Sequence, residues 1–169
     1  NIWKTYWTPQ GVFYHASRHL FHWKNGTMTV FKPQGPKFNT AFVVENTLYT
    51  RQQGIGLMEK SLDGGLTGGP KLNSKLIPGG EIFAKQVVFM MAPYDADGKK
   101  ILIGTKANGF YIYDGRGVSP FVTEADQFVK KNLLYHGIRI TSTLSALPNE
   151  SARFAVATLR GGLAIIDAK

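Results

Sequence analysis

A strand-turn-strand phrase that occurs four times constrains this chain more than any other feature of its sequence. The two clearest copies span residues 101–114 and 154–167, a third spans 47–59, and a degenerate copy spans 12–23. Each copy has a short run of apolar or β-branched residues, a turn, and a second such run, without a helical period. Each copy is therefore predicted to be a β-hairpin, and the chain to be a repeat protein.

The turns of three of these hairpins contain a glycine. Gly54, Gly109 and Gly162 are taken as equivalent, with His19 in the same position of the degenerate copy, which gives spacings of 35, 55 and 53 residues. Their mean of about 48 is typical of propeller blades rather than of helical arrays. Asn108-Gly109 is also a strong hairpin signal, because glycine adopts a positive φ without steric cost.

A further strand is predicted ahead of three of the hairpins, within residues 41–44, 86–91 and 139–144. Three or four strands per unit, with both faces partly apolar, are what a blade stacked between two neighbours needs. We therefore predict an all-β fold, a single β-propeller segment of about four blades. The approximate blade boundaries are 1–38, 39–84, 85–137 and 138–169.

Composition limits the class of protein. With 169 residues, 43% of them hydrophobic, the chain is long enough for one sizeable core, and it has no cysteine. The lack of cysteine excludes a disulfide scaffold, a CxxC zinc site and a thiol nucleophile. The net charge of +9 is spread along the chain rather than clustered in a basic stripe, so nucleic acid is not an expected partner.

The chain contains one stretch with helical features, residues 121–137. Thr123 can cap its start, acidic residues follow in the first turn, and Gly137 is expected to end the run. Only a short helix or turn at a blade edge is predicted there. Residues 61–80 are rich in glycine and are predicted to form a long loop between strands.

Metal and phosphate sites are weakly indicated. His15, His19 and His22 fall within eight residues, but no carboxylate lies between residues 1 and 44 to support them. Ordinary turn and surface histidines are therefore favoured. Residues 64–70 lack the Gly-Lys-Ser/Thr ending of a phosphate-binding loop, and a flexible loop is favoured there. No cofactor and no metal are predicted.

Catalytic pairs are equally hard to find. Asp95 and Asp97 lie in a glycine-ended turn, which is typical of a solvated hairpin tip, and the sequence fixes no partner near His136. Residues 61–65 partly resemble the Asp-box turn of sialidase-type propellers but lack the following aromatic residue. Asp63 is expected to bond its own backbone in that turn. We predict no catalytic residues and no enzymatic activity.

The hairpin turns supply the candidate ligand-binding residues. Basic and amide side chains recur there, and repeat symmetry places equivalent positions on one rim. Such a rim can bind an anionic or polyhydroxyl ligand, or it can simply keep the surface soluble. The candidates are Arg18, Arg51, Gln52, Lys106, Asn108 and Arg160.

Aromatic residues are concentrated in the first predicted blade, where they indicate two alternatives. An aromatic face with nearby hydrogen-bonding groups suits sugars or bases, whereas packing between blades explains most such residues. The set is Trp3, Tyr6, Trp7, Phe13, Tyr14, Phe21 and Trp23.

The four phrases resemble the two-component regulator propeller repeat, W-x-G-T-x-x-G-L-x-x-[FY]-[DN], and the resemblance covers nearly the whole chain. Leu102 and Ala155 stand nearest the place of the tryptophan of the repeat. The matching residues are 103–105, 109–110, 113–114, Thr158, 162–163 and 166–167.

The resemblance implies a fold and a function. Such repeats form seven-bladed propellers in the exported sensor region of membrane-bound histidine kinases and other transmembrane regulators. The chain is therefore expected to be a non-catalytic, periplasmic or extracellular ligand-sensing segment, with a saccharide as ligand. The alternatives are a propeller enzyme acting on polysaccharides, a lyase or hydrolase, and a scaffold for protein contacts.

The expected partners include protein as well as ligand. The sequence starts without Met and stops directly after a hairpin, so the segment is expected to belong to a larger propeller. Terminal blades would then expose strand edges and apolar faces. The remaining blades of the parent propeller are expected to cover these faces, and without them the chain is expected to self-associate.

Overall fold

The computed structural model describes four stretches of the chain, residues 1–66, 71–95, 97–140 and 152–167. They contain fifteen strands, one α-helix and one 3₁₀ helix. The chain divides into two compact units, Asn1–Val87 and Val88–Lys169. None of the helices in the described stretches is long and apolar enough to cross a membrane.

The first unit contains two four-stranded antiparallel sheets. The first sheet has β1 (Ile2–Thr8), β2 (Gly11–Ala16), β3 (Leu20–Lys24) and β4 (Thr27–Phe31). The second sheet has β5 (Phe38–Val44), β6 (Thr47–Gln52), β7 (Gly56–Ser61) and β8 (Lys75–Leu76), and the 3₁₀ helix Gly80–Ala84 follows it.

The second unit contains a four-stranded and, within the described residues, a three-stranded antiparallel sheet. The third sheet has β9 (Val88–Pro93), β10 (Ile101–Thr105), β11 (Phe110–Tyr113) and β12 (Val118–Phe121). Helix α1 (Asp126–Asn132) leads into the fourth sheet, which has β13 (Leu134–Ile140), β14 (Arg153–Thr158) and β15 (Gly162–Asp167).

All four repeated phrases form hairpins, and the all-β prediction is confirmed. The copies are the strand pairs β2–β3, β6–β7, β10–β11 and β14–β15, and each pair is antiparallel. In every sheet the spatial order of the strands is their order along the chain. Each sheet is therefore a meander in which one repeated hairpin is joined by the strands that flank it.

The strand predicted before the fourth hairpin was misplaced. β13 begins at Leu134, ahead of the predicted strand at 139–144 and of the predicted blade boundary at 138. Residues 141–144, like the predicted turn at 148–151, lie outside the described stretches. Phe38, assigned by sequence to the first blade, is the first residue of the second sheet.

The register of the hairpins corrects the alignment of the glycines. Gln52 pairs with Gly56 and Thr158 with Gly162, and the Thr105 amide donates to the Gly109 carbonyl over 3.0 Å. Gly56, and not Gly54, is thus the structural equivalent of Gly109 and Gly162. The differences 109 − 56 and 162 − 109 are both 53, so three repeats are evenly spaced.

Each unit has an apolar core between the inner faces of its two sheets. In the first unit Phe13, Leu20 and Phe31 of the first sheet pack with Ala41 and Leu48 of the second. The core of the second unit consists of Met90, Ala92, Leu102, Phe110, Val129, Leu134, Phe154, Val156 and Ile166. Burial of such side chains contributes about 1.5–3 kcal/mol each, which makes these faces the main source of stability.

The predicted helix is present but shorter than the stretch that predicted it. Asp126 accepts hydrogen bonds from the Thr123 amide and hydroxyl at 3.1 and 2.8 Å, so Thr123 is the donor rather than the cap. Leu133, at φ 61°, ends the helix, and Gly137 lies inside β13. Only Val129 of this helix is fully buried, which agrees with a short element at the edge of a sheet.

Candidate functional site

Arg51 lies in β6 and not in the turn where the sequence placed it. Its side chain is only 3% exposed, because the guanidinium reaches the carbonyls that end the 3₁₀ helix. Nε donates to the Phe83 and Gln86 oxygens at 2.8 and 3.1 Å, and Nη2 donates to the Ala84 oxygen at 2.6 Å. A cation at the carboxyl end of a helix satisfies carbonyls that the helix leaves unpaired. Arg51 therefore has a structural role.

Gln52, the second candidate in this turn, is also a buried strand residue. Its side-chain oxygen accepts from the Gln34 and Gly35 amides at 2.7 and 3.4 Å. These bonds fix the connection between β4 and β5. The prediction that Arg51 and Gln52 project from a rim is wrong. The alignment on Gly54 placed both residues in the turn, whereas they are the last two residues of the strand before it.

A basic cleft of about 440 Å³ opens beside the buried Arg51 guanidinium. The side chains of Lys37 and Lys85 line it, and no carboxylate does. Asn39 accepts a hydrogen bond from Arg51 Nη1 at its inner end. Burial lowers the pKa of the Arg51 guanidinium, but an arginine starts so far above neutral pH that the group stays cationic there. The cleft in the first unit is therefore electropositive. Its lining residues are Lys37, Asn39, Arg51, Gln53, Gly54, Ala84, Lys85 and Val87.

The other turn candidates in the second unit gather at the end of α1. The Leu134 amide donates to the Lys106 carbonyl at 2.9 Å, and the Arg160 amide donates to the Asn132 carbonyl at 3.2 Å. The β10–β11 and β14–β15 turns therefore lie at the same edge, one on each side of the segment that leaves the helix. Asn108 is exposed in the first of these turns.

The helix adds two further cations to this edge. Lys130 and Lys131 lie in its last turn, so with Lys106 and Arg160 they give the α1 edge four basic residues. Asp126 lies 3.5 Å from Lys130, and the pair is partly exposed. We refer to Lys106, Lys130, Lys131 and Arg160 as the basic edge of the second unit. Sequence reasoning found the two turn residues and missed the two helical ones.

Both turns at this edge have the same internal hydrogen bonds. The Thr105 hydroxyl donates to the Gly109 carbonyl at 2.8 Å and accepts from the Asn108 amide at 3.0 Å. Thr158 makes the same two bonds with Gly162 and Gly161, each at 3.1 Å. These threonine clasps stabilise the backbone of the two turns, so the positions from which Lys106 and Arg160 project are defined. Arg18, the remaining candidate, is exposed in the β2–β3 turn of the first unit.

The histidines differ from the surface residues that the sequence predicted. His15 and His22 are buried on the inner face of the first sheet. His22 stacks on Phe13 with ring centres 4.5 Å apart, and its Nε2 lies 2.7 Å from the Gln10 carbonyl oxygen. Burial, helped by the charge of Lys4, lowers the pKa of His15. No group of three or more His, Cys, Asp or Glu that could hold a metal occurs in the described stretches.

The carboxylates examined as catalytic candidates lie in hydrogen-bonded turns. Asp97 forms a 2.6 Å ion pair with Lys99, and this bond lowers the pKa of Asp97. Asp95 accepts from the Lys100 amide at 3.0 Å, so the two aspartates form a solvated hairpin tip as predicted. Asp63 bonds the Ser61 hydroxyl at 3.1 Å and also the Asn46 side chain, rather than its own backbone.

The aromatic residues of the first sheet are divided between its two faces. Tyr6 and Phe13 point into the core, and the Tyr6 hydroxyl donates to the Ala41 carbonyl. Trp7 and Trp23 lie on the opposite, outer face, where they are 85% and 42% exposed. The outer face thus combines large apolar side chains with access to solvent.

A second cleft, of about 410 Å³, lies in the second unit between the segment after β12 and the end of β15. Residues 121–125 and 165–167 line it, and Glu124 and Asp167 are the charged residues among them. It contains no cluster of charged side chains comparable with the basic edge. We therefore assign it no role in binding.

Comparison with known proteins establishes the fold. No protein-family model matches the sequence, and no curated protein is similar to it. The structure is similar to that of YCF48 from Cyanidioschyzon merolae, with a TM-score of 0.69 and 15% identity over 99% of this chain and 50% of that chain. It is also similar to a structure of YCF48 bound to D1 peptide, with a TM-score of 0.61 and 12% identity over 96% of this chain and 48% of that chain.

These similarities show that the chain has a β-propeller fold, which confirms the predicted fold class. The chain spans about half the length of the two structures it resembles. Because the sequence identities are only 12% and 15%, these similarities show the fold and not the function, since one fold hosts many functions.

Proposed function

We propose that the chain is a non-catalytic binding segment of a β-propeller whose partner is an acidic peptide segment of another protein. The gathering of Lys106, Lys130, Lys131 and Arg160 at the basic edge is the observation that carries the proposal. Two turns and a helix end bring these residues together from positions up to 54 apart in sequence, since 160 − 106 is 54.

The charge balance at this edge supports an anionic partner. Asp126 is the one carboxylate among the described residues that forms an ion pair with these four cations, and exposed like charges of this kind repel by some tenths of a kcal/mol each. A carboxylate-rich peptide relieves this repulsion and adds charge-assisted hydrogen bonds. The basic cleft beside Arg51 presents the same type of surface on the first unit.

A peptide rather than a small molecule fits the shape of these surfaces. The basic edge consists of exposed turns and a helix end, not of an enclosed apolar pocket of the kind that small ligands favour. A propeller similar in structure is bound to a peptide, the D1 peptide on YCF48. The carboxylates described above are engaged in ion pairs or in the hydrogen bonds of turns, which supports a binding role without catalysis.

The test is a titration of the chain with a labelled glutamate-rich peptide, with a lysine-rich peptide of equal length as the ligand control. The double variant Lys106→Ala/Arg160→Ala is expected to weaken binding about tenfold and to flatten its dependence on salt. The matched control is Lys99→Ala/Lys100→Ala, which removes the same charge at the opposite end of β10. Equal affinity of both double variants and the wild type would refute the proposal.

The repeat phrases support a second candidate, an extracytoplasmic sensor segment for an anionic saccharide. The two-component regulator repeat that the sequence resembles is the observation behind it. A sulfated saccharide added to the same titration separates the candidates. Tight binding of the saccharide at the basic edge, with no binding of the acidic peptide, would favour the sensor and overturn the peptide proposal.

A further inference from the structure

The outer face of the first sheet is an apolar surface built in register across four strands. Trp7 pairs with Val12, Val12 with Trp23, and Trp23 with Met28, so one continuous row crosses the sheet. Side chains two residues apart on a strand share a face, so the neighbouring row of Thr5, Tyr14, Phe21 and Val30 lies on the same side of the sheet. The outer face of the first sheet consists of Thr5, Trp7, Val12, Tyr14, Phe21, Trp23, Met28 and Val30.

Apart from Thr5, the members of this face are apolar or aromatic, and half of them are open to solvent. Trp7, Trp23, Met28 and Val30 are all exposed. A buried aromatic side chain covers about 150–250 Å². A contiguous exposed set of this kind, with two tryptophans, is typical of a surface that contacts another protein.

The fourth sheet has an outer face of the same kind. Ile138 pairs with Ala155 and Ala155 with Ile165, while Ala157 pairs with Leu163 in the adjacent row. Leu163 and Ile165 are 64% and 52% exposed. This face is aliphatic where that of the first sheet is aromatic. The opposite faces of both sheets are filled by the cores already described.

We propose that the outer face of the first sheet is covered by the outer face of the fourth sheet of a second copy of this chain. Face-to-face sheets pack about 10 Å apart when alternate side chains interdigitate, and both faces offer that pattern. Each copy carries one face of either type, so the contact is heterologous and uses both. The chain spans half the length of the similar propellers, and two copies supply that length.

Sedimentation of the full chain over a range of concentrations tests the association. The wild type is expected to form dimers or larger species, and Trp7→Asp or Leu163→Asp is expected to weaken association at least about tenfold. Ile82→Asp is the matched control, because Ile82 is 37% exposed and lies in the 3₁₀ helix, on neither face. These positions are open to solvent, so the changes leave the cores intact. A wild type that stays monomeric at every concentration would overturn the proposal.

The absence of cysteine allows the pairing of faces to be tested directly. A Trp23→Cys chain mixed with an Ile165→Cys chain is expected to form a disulfide-linked heterodimer under mild oxidation. Ile82→Cys, in the 3₁₀ helix of the first unit, in place of Ile165→Cys is expected to give none above background. Cross-linking of Trp23→Cys chains only to each other would indicate a contact between two first sheets and would contradict the proposed pairing.

Discussion

The β6–β7 and β14–β15 hairpins share a sequence phrase but lie in different surroundings. Arg51 at the end of β6 is buried and bonded to three backbone carbonyls, whereas Arg160 in the β14–β15 turn is exposed. Gly56 packs against the 3₁₀ helix, while nothing lies within 4 Å of the position that a side chain at Gly162 would occupy. The phrase specifies the strand pairing, and the neighbouring elements decide whether its polar residues are structural or available for binding.

The largest difference is expected between Arg51→Ala and Arg160→Ala. Removal of the Arg51 guanidinium leaves the carbonyls of Phe83, Ala84 and Gln86 without this donor, at a cost of about 3 kcal/mol in the free energy of unfolding. Arg160→Ala is expected to cost about 0.5 kcal/mol or less. Urea denaturation of both variants measures the two values. Similar losses would show that the different surroundings of the two hairpins do not affect the free energy of unfolding.

The paired glycines sharpen the comparison. Gly56 has φ 133°, and a methyl group there would overlap the Gly80 carbonyl oxygen. Gly56→Ala is expected to lower the free energy of unfolding by about 2 kcal/mol or more. Gly162→Ala faces only the backbone penalty of φ 89°, about 1 kcal/mol. Thermal unfolding of both variants tests the order, and a larger loss for Gly162→Ala would contradict it.

The threonine clasps extend the same contrast to the β10–β11 turn. Thr105 is fully buried, so Thr105→Val leaves the Asn108 amide without its acceptor and removes one of the two donors to the Gly109 carbonyl, at an expected cost of about 1.5 kcal/mol. Thr158 makes the same bonds where water can replace them. Thr158→Val is therefore expected to cost about 0.5 kcal/mol. Hydrogen exchange of the Asn108 and Gly161 amides reports each turn separately, and equal exchange in both would argue against burial as the cause.

The smallest effect is a dependence of stability on pH that arises in the first sheet. Burial, and then Lys4, lowers the pKa of folded His15 below its unfolded value near 6.5. The unfolded chain therefore takes up the proton first, and the stability present above about pH 6.5 is lost as the pH falls toward the folded pKa. His15→Gln is expected to reduce this slope. His19→Gln, in the turn before β3, serves as the control, and an unchanged slope in His15→Gln would disprove the assignment.

The hairpins could be predicted from sequence because local signals specify them. Asn108-Gly109 and the β-rich runs around it are enough to place β10 and β11. The role of Arg51 could not be predicted, because its partners lie in a 3₁₀ helix about thirty residues further along the chain. A shift of two residues, Gly54 for Gly56, was enough to move Arg51 from a strand into a supposed turn. In the basic edge, Lys106 and Arg160 could be predicted because they lie in repeated turns. Lys130 and Lys131 lie in a helix that is not part of the repeat, so no pattern pointed to them.

The glycine alignment also explains why the repeat spacing looked irregular. With Gly56 in place of Gly54, the last three hairpins are spaced by 53 residues each. The β6–β7 connection has the same length as the β14–β15 connection, since three residues separate Gln52 from Gly56 and three separate Thr158 from Gly162. The apparent irregularity arose because the aligned glycine was taken two residues too early. Equivalent positions in the repeats of this chain are therefore defined by which backbone groups pair, and not by which residues are identical.

The meander order of the sheets has a consequence for how the chain folds. Every strand in the described stretches pairs only with strands next to it along the chain, so each ladder closes a short loop. Loop-closure entropy is lowest for such contacts, and proteins dominated by them fold faster than β proteins with distant strand pairs. Strand pairing within each sheet can therefore begin before the next sheet has been synthesised, and the core of each unit forms once both of its sheets are present. Assembly of the apolar faces then becomes the slow and concentration-dependent step.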